Sequence, residues 1–466
     1  MKLARIASRQ TRSETRLGLI KPGRKALIIV PPNQDVSVVT AIGRALKERG
    51  VDVDFIKEYP IIKDSFGEAE AANLTQATAL GALLHRDGGV IDGSLEAYLW
   101  GWPQFLPADH QTSGPRHSGT EHREVLASKS YLEKHPEYQV FLGRSSLGFR
   151  EFAEQEIGEK YLNNWHYETL ADLVVSTSPF PDEITRLLED RTLEILPWAE
   201  EVHVTEPEGT DLRFSLTAEE AQLWYLGAFE PPQIELSPFA GTIGLHWKEN
   251  KDKIVIPDAN GVIAGHAGHA GYYPRLTVTV EHGVARKAEG GGKLGELWRL
   301  YLENKTLQEA HYPGTPQPGF LYLFQGDLGL DPKMVTMGRP LAGRAGMIYW
   351  GFGIDAVTPE MEKYAEKNHL PTQHGLHIHT FFPTFEVTLR GDRRKVKITD
   401  KGHLTALDDP EIQALAARYG KAEEVLREEF IPQIPGINAP GDYMKDYAPD
   451  PLSYEKKFWS EVLSGR

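Results

Sequence analysis

The stretch "QHGLHIHTFF", Gln373 to Phe382, places His377 and His379 one isoleucine apart at the start of a β-prone aromatic run. Side chains on a strand alternate between faces, so positions two apart point the same way. The two imidazoles would stand side by side while Ile378 faces the opposite layer. That is the geometry of a pair of metal ligands, and it is also the geometry of an ordinary polar strand face. Other residues of suitable type lie upstream. "GTIGLHWKEN" carries His246, and "GVIAGHAGHAGYYP" carries His266 and His269 in a glycine-rich stretch that ends in Tyr272 and Tyr273. "GDLGLDPK" supplies Asp327 and Asp331, and "RAGMIYWGFGID" puts Tyr349 on an apolar strand. Neutral imidazoles suit Zn, Fe, Cu and Ni, and three of them with open coordination positions make a catalytic site.

Each candidate has a plainer reading. A lone histidine beside a tryptophan, as at His246, is more often half-buried than a ligand. "GHAGHAG" also reads as a flexible loop, Asp331 before Pro332 as turn chemistry, and Tyr349 as core. His110, His117 and His122 have no ligand spacing. There is no GxSxG and no HExxH.

The elements that must position these residues follow from pattern and composition. At 466 residues the chain exceeds one ordinary core, so two domains are expected. With 40% hydrophobic, 10% aromatic and 25% charged residues it has a globular composition. "KALIIVPPNQDVSVVTAIGRALKERGVDVDFI" reads as a buried strand Lys25–Val30, a helix Val36–Arg49 stopped by Gly50, and a strand Val51–Ile56. This βαβ unit makes the first part α/β with a parallel sheet, and it has no GxGxxG or GxxxxGK[ST] turn for a nucleotide. A helix Glu183–Ala199 and a strand Glu201–Thr205 follow. After the turn-rich Glu206–Thr210 the pattern changes to short strands with Gly and Pro. They include a pair joined by a two-residue His282–Gly283 turn and a helix starting at Leu294. The expected architecture is an N-terminal α/β domain, residues 1–200, followed by a strand-rich α+β metal-site domain, residues 201–466. Trp100 to His122 reads as a long loop reaching toward the site.

The formal charge, 51 − 66 = −15, repels phosphate backbones, so no nucleic-acid partner is expected. No run of about 18 apolar residues is present, so no membrane span is expected. The basic start "MKLARIASRQTRSETRLGL" lacks the apolar segment of a secretory signal. Without cysteine there is no disulfide, thiolate nucleophile or Cys-type zinc site, so any metal must be held by His, Asp, Glu or Tyr. A cytoplasmic location fits, with a small-molecule substrate as partner and a homodimer compatible with both.

Taken in order, "EEVHVTEPEGTDLRFSL", "VIPDANGVIAG", "RLTVTVEHGVARKAEGGG", "LGLDPKM", "AGMIYWGFG" and "LHIHTFF" resemble aminopeptidase T-like metallopeptidases and their relatives, the 2,5-dihydroxypyridine ring-cleaving dioxygenases. The resemblance covers most of residues 200–390. It implies that the family's terminal His-x-Asp falls on His377 and His379, its upstream glutamate on or near His246, its second glutamate on Asp327 and its strand histidine on Tyr349. Aspartate and glutamate are thus replaced by histidine, and histidine by tyrosine. Bridging carboxylates are what neutralise two close dications, so their loss favours one metal ion held by His246, His377 and His379. The expectation is a mononuclear non-haem Fe(II) oxygenase acting on a small aromatic or enolic substrate. Catalytic candidates are His269, His266, Tyr349 and Asp327, with Tyr272 and Tyr273 as further acid/base or orienting groups. A zinc-dependent hydrolase and a non-catalytic metal-binding protein are the alternatives.

Overall fold

The computed structural model describes residues 1–11, 16–30, 34–69, 71–72, 120–143, 153, 156–163, 170–175, 177–229, 242–244, 258–268, 271–334, 344–354, 359–371, 375–429 and 431–463. The expected loop from Trp100 onward lies outside them up to residue 119, and a helix Thr120–Lys134 follows. Among the described residues one compact unit is drawn from residues 1–182 and a second from residue 183 onward.

The first unit is built on a parallel sheet of order β2-β1-β3-β4. Its strands are β1 (Lys25–Val30), β2 (Asp52–Lys57), β3 (Val140–Gly143) and β4 (Tyr161–Asn163). Apolar residues on both faces of β1 are what a strand covered on both sides requires. Ala26 and Ile28 pack with Val38, Val39, Ile42 and Leu46 of the helix Val36–Glu48, while Leu27 and Ile29 pack with Ile61, Ile62, Val125 and Phe141. Asp35 caps that helix by accepting from the Ser37 N–H at 2.8 Å, and Gly50, at φ +82°, ends it.

The second unit holds a 12-stranded sheet. Its strands are β5 (Ala199–Thr205), β6 (Asp211–Ser215), β7 (Thr242–Gly244), β8 (Asn260–Gly268), β9 (Gly271–Glu281) and β10 (Val284–Gly290). They continue with β11 (Tyr322–Gly329), β12 (Ile348–Gly353), β13 (Leu376–Thr380), β14 (Thr384–Leu389), β15 (Lys395–Asp400) and β16 (His403–Leu404). The order is β13-β12-β11-β10-β9-β8-β6-β5-β14-β15-β16, with β7 beside β11. Neighbouring strands pair antiparallel throughout. The α/β first part and strand-rich second part are therefore as the sequence pattern implies.

The hairpin β9–β10 turns at His282 and Gly283, both left-handed at φ +51° and +76°. Such a turn matches the twist of the flanking strands. One element is shorter than expected. The helix before β5 spans Asp182–Leu193 and gives way to a 3-10 turn Leu196–Trp198, because Pro197 has no N–H to continue it.

Candidate functional site

Strands β11, β12 and β13 are buried along their whole length. Their register decides what shares a face. Asp327 pairs with Tyr349, and Tyr349 with His379, while Gly244 of β7 pairs with Asp327 from the other side. Directly opposed residues in an antiparallel ladder project to the same face. One row across four strands therefore reads Gly244, Asp327, Tyr349, His379. The parallel row two residues away reads Gln325, Gly351, His377. Both rows occupy one face, with glycine rather than a side chain at Gly244 and Gly351.

The opposite face is apolar packing. Gly326, Trp350 and Ile378 form its central row, and the Trp350 ring covers Gly326 so closely that a Cβ there would lie 3.2 Å from it. Behind Ile378 stands β8. A Cβ on Gly265 would lie 2.7 Å from both the His379 carbonyl oxygen and Ile378 Cγ2. Ile378 is fully buried, as the alternation of His-Ile-His implies.

The polar face is nearly sealed: His379 is 0% exposed, Tyr349 1%, His377 and Asp327 2%, and Gln325 6%. The Tyr349 ring centroid lies 5.4 Å from that of His379 and 6.3 Å from that of His377. Gln325 Nε2 donates to Asp327 Oδ2 at 2.9 Å and to the Tyr349 hydroxyl at 3.3 Å. The structure thus brings together four of the sequence candidates, Asp327, Tyr349, His377 and His379. It adds Gln325, which sequence reasoning missed. Its only sequence signal is its position two residues before Asp327 on the same strand.

The strand carrying the histidines is anchored at both ends. The Tyr273 hydroxyl lies 2.6 Å from the Ala267 carbonyl oxygen and 3.2 Å from that of His377. Beyond His379, Arg344 Nη2 donates to the Phe381 carbonyl at 2.6 Å, with its guanidinium 5.9 Å from the Phe382 ring centre. Arg344 is 1% exposed, and burial pulls its pKa down to about 10. Asp331 accepts from the Lys333 N–H at 2.7 Å, the turn role its place before proline implies.

His266 belongs to a second buried network. Its Nδ1 pairs with Glu208 Oε1, and its Nε2 lies 2.9 Å from the Tyr447 hydroxyl, which donates to Glu455 at 2.9 Å. Tyr443 donates to the same Glu208 oxygen at 2.8 Å. Tyr272 and Phe381 stack on the imidazole, with ring centroids 6.0 and 5.2 Å away. Burial, then the neighbouring Glu208, hold Glu206 well above the usual carboxylate range. Burial does the same to the phenols of Tyr272 and Tyr447. His246 and His269 lie outside the described residues.

The donor chemistry of the first face suits a borderline transition metal, since two imidazoles and a carboxylate are the ligands such ions take. Among the described residues, no group of three or more His, Asp or Glu side chains is arranged to hold a metal ion. Gly244, two residues before His246, pairs with Asp327 at the end of the row. No described helix is long and apolar enough to cross a membrane.

No family model and no curated protein sequence matches the chain. Solved structures that align with it include the following two. Wild-type AmpT from Thermus thermophilus does so at 13% identity, over 86% of this chain and 98% of that one, with a TM-score of 0.38. The 2,5-dihydroxypyridine dioxygenase from Pseudomonas putida KT2440 does so at 12% identity, over 86% and 95%, with a TM-score of 0.35. These are the two enzyme groups that the sequence motifs resemble, and at such distances the alignments carry no functional argument.

Proposed function

We propose that the chain is a mononuclear metal-dependent enzyme, a non-haem Fe(II) dioxygenase acting on a small aromatic or enolic molecule. One observation carries the reading. His377 and His379 share a buried strand face with Tyr349 and Asp327 in register beside them. In the proposal His377 and His379 hold the ion together with His246. A divalent iron in such a set supplies open positions for substrate and O2. The protein's own groups do the rest. Tyr349, between the carboxylate and the imidazoles, donates a proton or hydrogen bond to a substrate oxygen. Asp327 accepts one from a substrate hydroxyl. The seal around both rows excludes water and strengthens these polar contacts.

Metal analysis of the purified protein, followed by oxygen consumption with a panel of hydroxylated aromatics, tests the proposal. About one iron per chain and substrate-dependent oxygen uptake are expected. Zinc in place of iron, with hydrolysis of aminoacyl anilides, would move the reading to a hydrolase in which Asp327 serves as general base. Two equivalents of metal, both needed for activity, would overturn the mononuclear assignment.

A further inference from the structure

We propose that His266 is a positioning residue: clamped by the C-terminal segment, its imidazole fixes the end of β13 and so the placement of His377 and His379. The bearing on metal rests on the reading of those two histidines as ligands. His266 is fully buried, and both of its ring nitrogens are engaged. Nδ1 pairs with Glu208, and Nε2 lies 2.9 Å from the Tyr447 hydroxyl. An enclosed ring held at both nitrogens is a rigid plate, and what it touches is the end of the histidine strand. Phe381, two residues after His379, lies nearly parallel to the imidazole, with 19° between planes and 5.2 Å between centroids. The residue after His266 reaches the other histidine. The Ala267 carbonyl oxygen lies 2.6 Å from the Tyr273 hydroxyl, which lies 3.2 Å from the His377 carbonyl oxygen.

The last part of the chain holds the plate in place. Tyr443 and Tyr447 stand on one helical turn, Tyr443–Tyr447, which Asp442 caps by accepting from the Lys445 N–H at 3.2 Å. Tyr443 donates to the same Glu208 oxygen that pairs with His266, and Tyr447 donates to Glu455 on the helix Pro451–Leu463. The Arg275 N–H of β9 donates to the Ala448 carbonyl at 2.9 Å and ties the segment down. Tyr447 shares one hydrophobic cluster with Ala267, Tyr272, Phe381 and Phe382, so the segment and the end of β13 pack as one body. Such support matters for this strand. Among the described residues β13 ends the strand order and pairs with β12, whereas a ligand pair must be held to within about 0.5 Å.

Two substitutions test the clamp. Tyr447→Phe keeps the ring and removes the hydroxyl that meets Nε2. His266→Gln keeps a polar side chain and removes the plate against Phe381. Amide hydrogen exchange is followed by mass spectrometry on the metal-free protein, in peptides from β13, the C-terminal segment and β5. In both variants β13 is expected to exchange about 10-fold faster, the effect of one lost buried partner, while β5 keeps the parent rate. Co²⁺, titrated as a probe metal, is expected to bind about 2–30-fold more weakly and with an altered visible spectrum, as for residues that act on a site without touching its ligand. Faster exchange in the C-terminal segment alone, or in all three regions equally, overturns the proposal, because His266 would then support only that segment or the fold as a whole. Exchange of β13 at the parent rate overturns it as well. A parent protein that binds no Co²⁺ overturns the metal reading instead, and the exchange rates still decide whether His266 fixes β13.

Discussion

At the scale of single residues, the three positions of His-Ile-His divide cleanly between chemistry and packing. His377 and His379 face Tyr349 and its row, while Ile378 fills the space against Gly265. Replacing either histidine by alanine deletes a polar group of the site and leaves the apolar layer intact. The expected outcome is loss of most bound metal and of metal-dependent activity, with the cooperative melt retained. Ile378→Ala should do the reverse. It is fully buried, and truncation there should cost about 2–5 kcal/mol while metal content stays at the parent level. Metal analysis beside denaturant melts of the three variants checks both halves. Parent-level metal in both histidine variants would reduce the pair to a polar strand face. The pairing of the two histidines was legible from spacing two alone. Gln325 was not, because what distinguishes it is the register of β11 on β12, a relation between residues 24 positions apart from Gln325 to Tyr349.

At the scale of elements, the sequence was most readable where structure is local. Strand β1, the helix after it with its Gly50 stop, and the His282–Gly283 hairpin all follow from residues within a few positions of one another. The apposition of β8 and β13 does not. Gly265 and Ile378 are far apart in sequence, and "GHAGHAG" reads equally well as a flexible loop, yet Gly265 to Gly268 belong to strand β8, whose register shifts between Gly265 and Ala267 and whose glycine admits the backbone of β13. The same distance in sequence hides Glu208, which reads as part of a solvent turn and instead lies buried against His266. Gly265 tests the apposition directly. A Cβ would come within 2.7 Å of the His379 carbonyl oxygen and of Ile378, closer than real contacts allow, so one of the two strands must move. Gly265→Ala is expected to cost about 1–3 kcal/mol, the usual range for overpacking, and to weaken metal retention by displacing His379. A variant as stable as the parent, with unchanged metal content, would show that β13 is free to give way.

At the scale of the whole molecule, two titrating groups make stability depend on pH in the same sense. His403 is held between Glu428 at 2.7 Å and Asp408 at 3.0 Å, and the bond to Glu428 above all raises its pKa from 6.5 to about 9. The folded state therefore keeps a proton that the unfolded chain releases near 6.5. The stabilisation is fully present below about pH 6.5 and is lost as pH rises through about 9. The His403 side chain is 39% exposed, so solvent screens the pair and its contribution is small. Glu206 adds to the same slope from lower pH. Its buried carboxyl stays protonated above the pH at which the unfolded chain ionises, so stability declines as pH climbs past the ordinary glutamate value of 4.5. Carboxylates such as Glu429, lowered by the Lys333 ammonium at 2.9 Å, act on the acid side, where their contribution is lost as pH falls. The melting temperature is accordingly expected to fall from pH 6.5 to pH 9. His403→Gln should flatten the upper part of that decline. Glu206→Gln, whose amide oxygen can still accept from the Glu208 N–H, should flatten the lower part and raise the melting temperature at neutral pH. Calorimetric scans of the three proteins across this range decide it. A parent whose melting temperature rises with pH over the interval, or a Glu206→Gln protein less stable than the parent at pH 8, would contradict the assignment of buried protons made here.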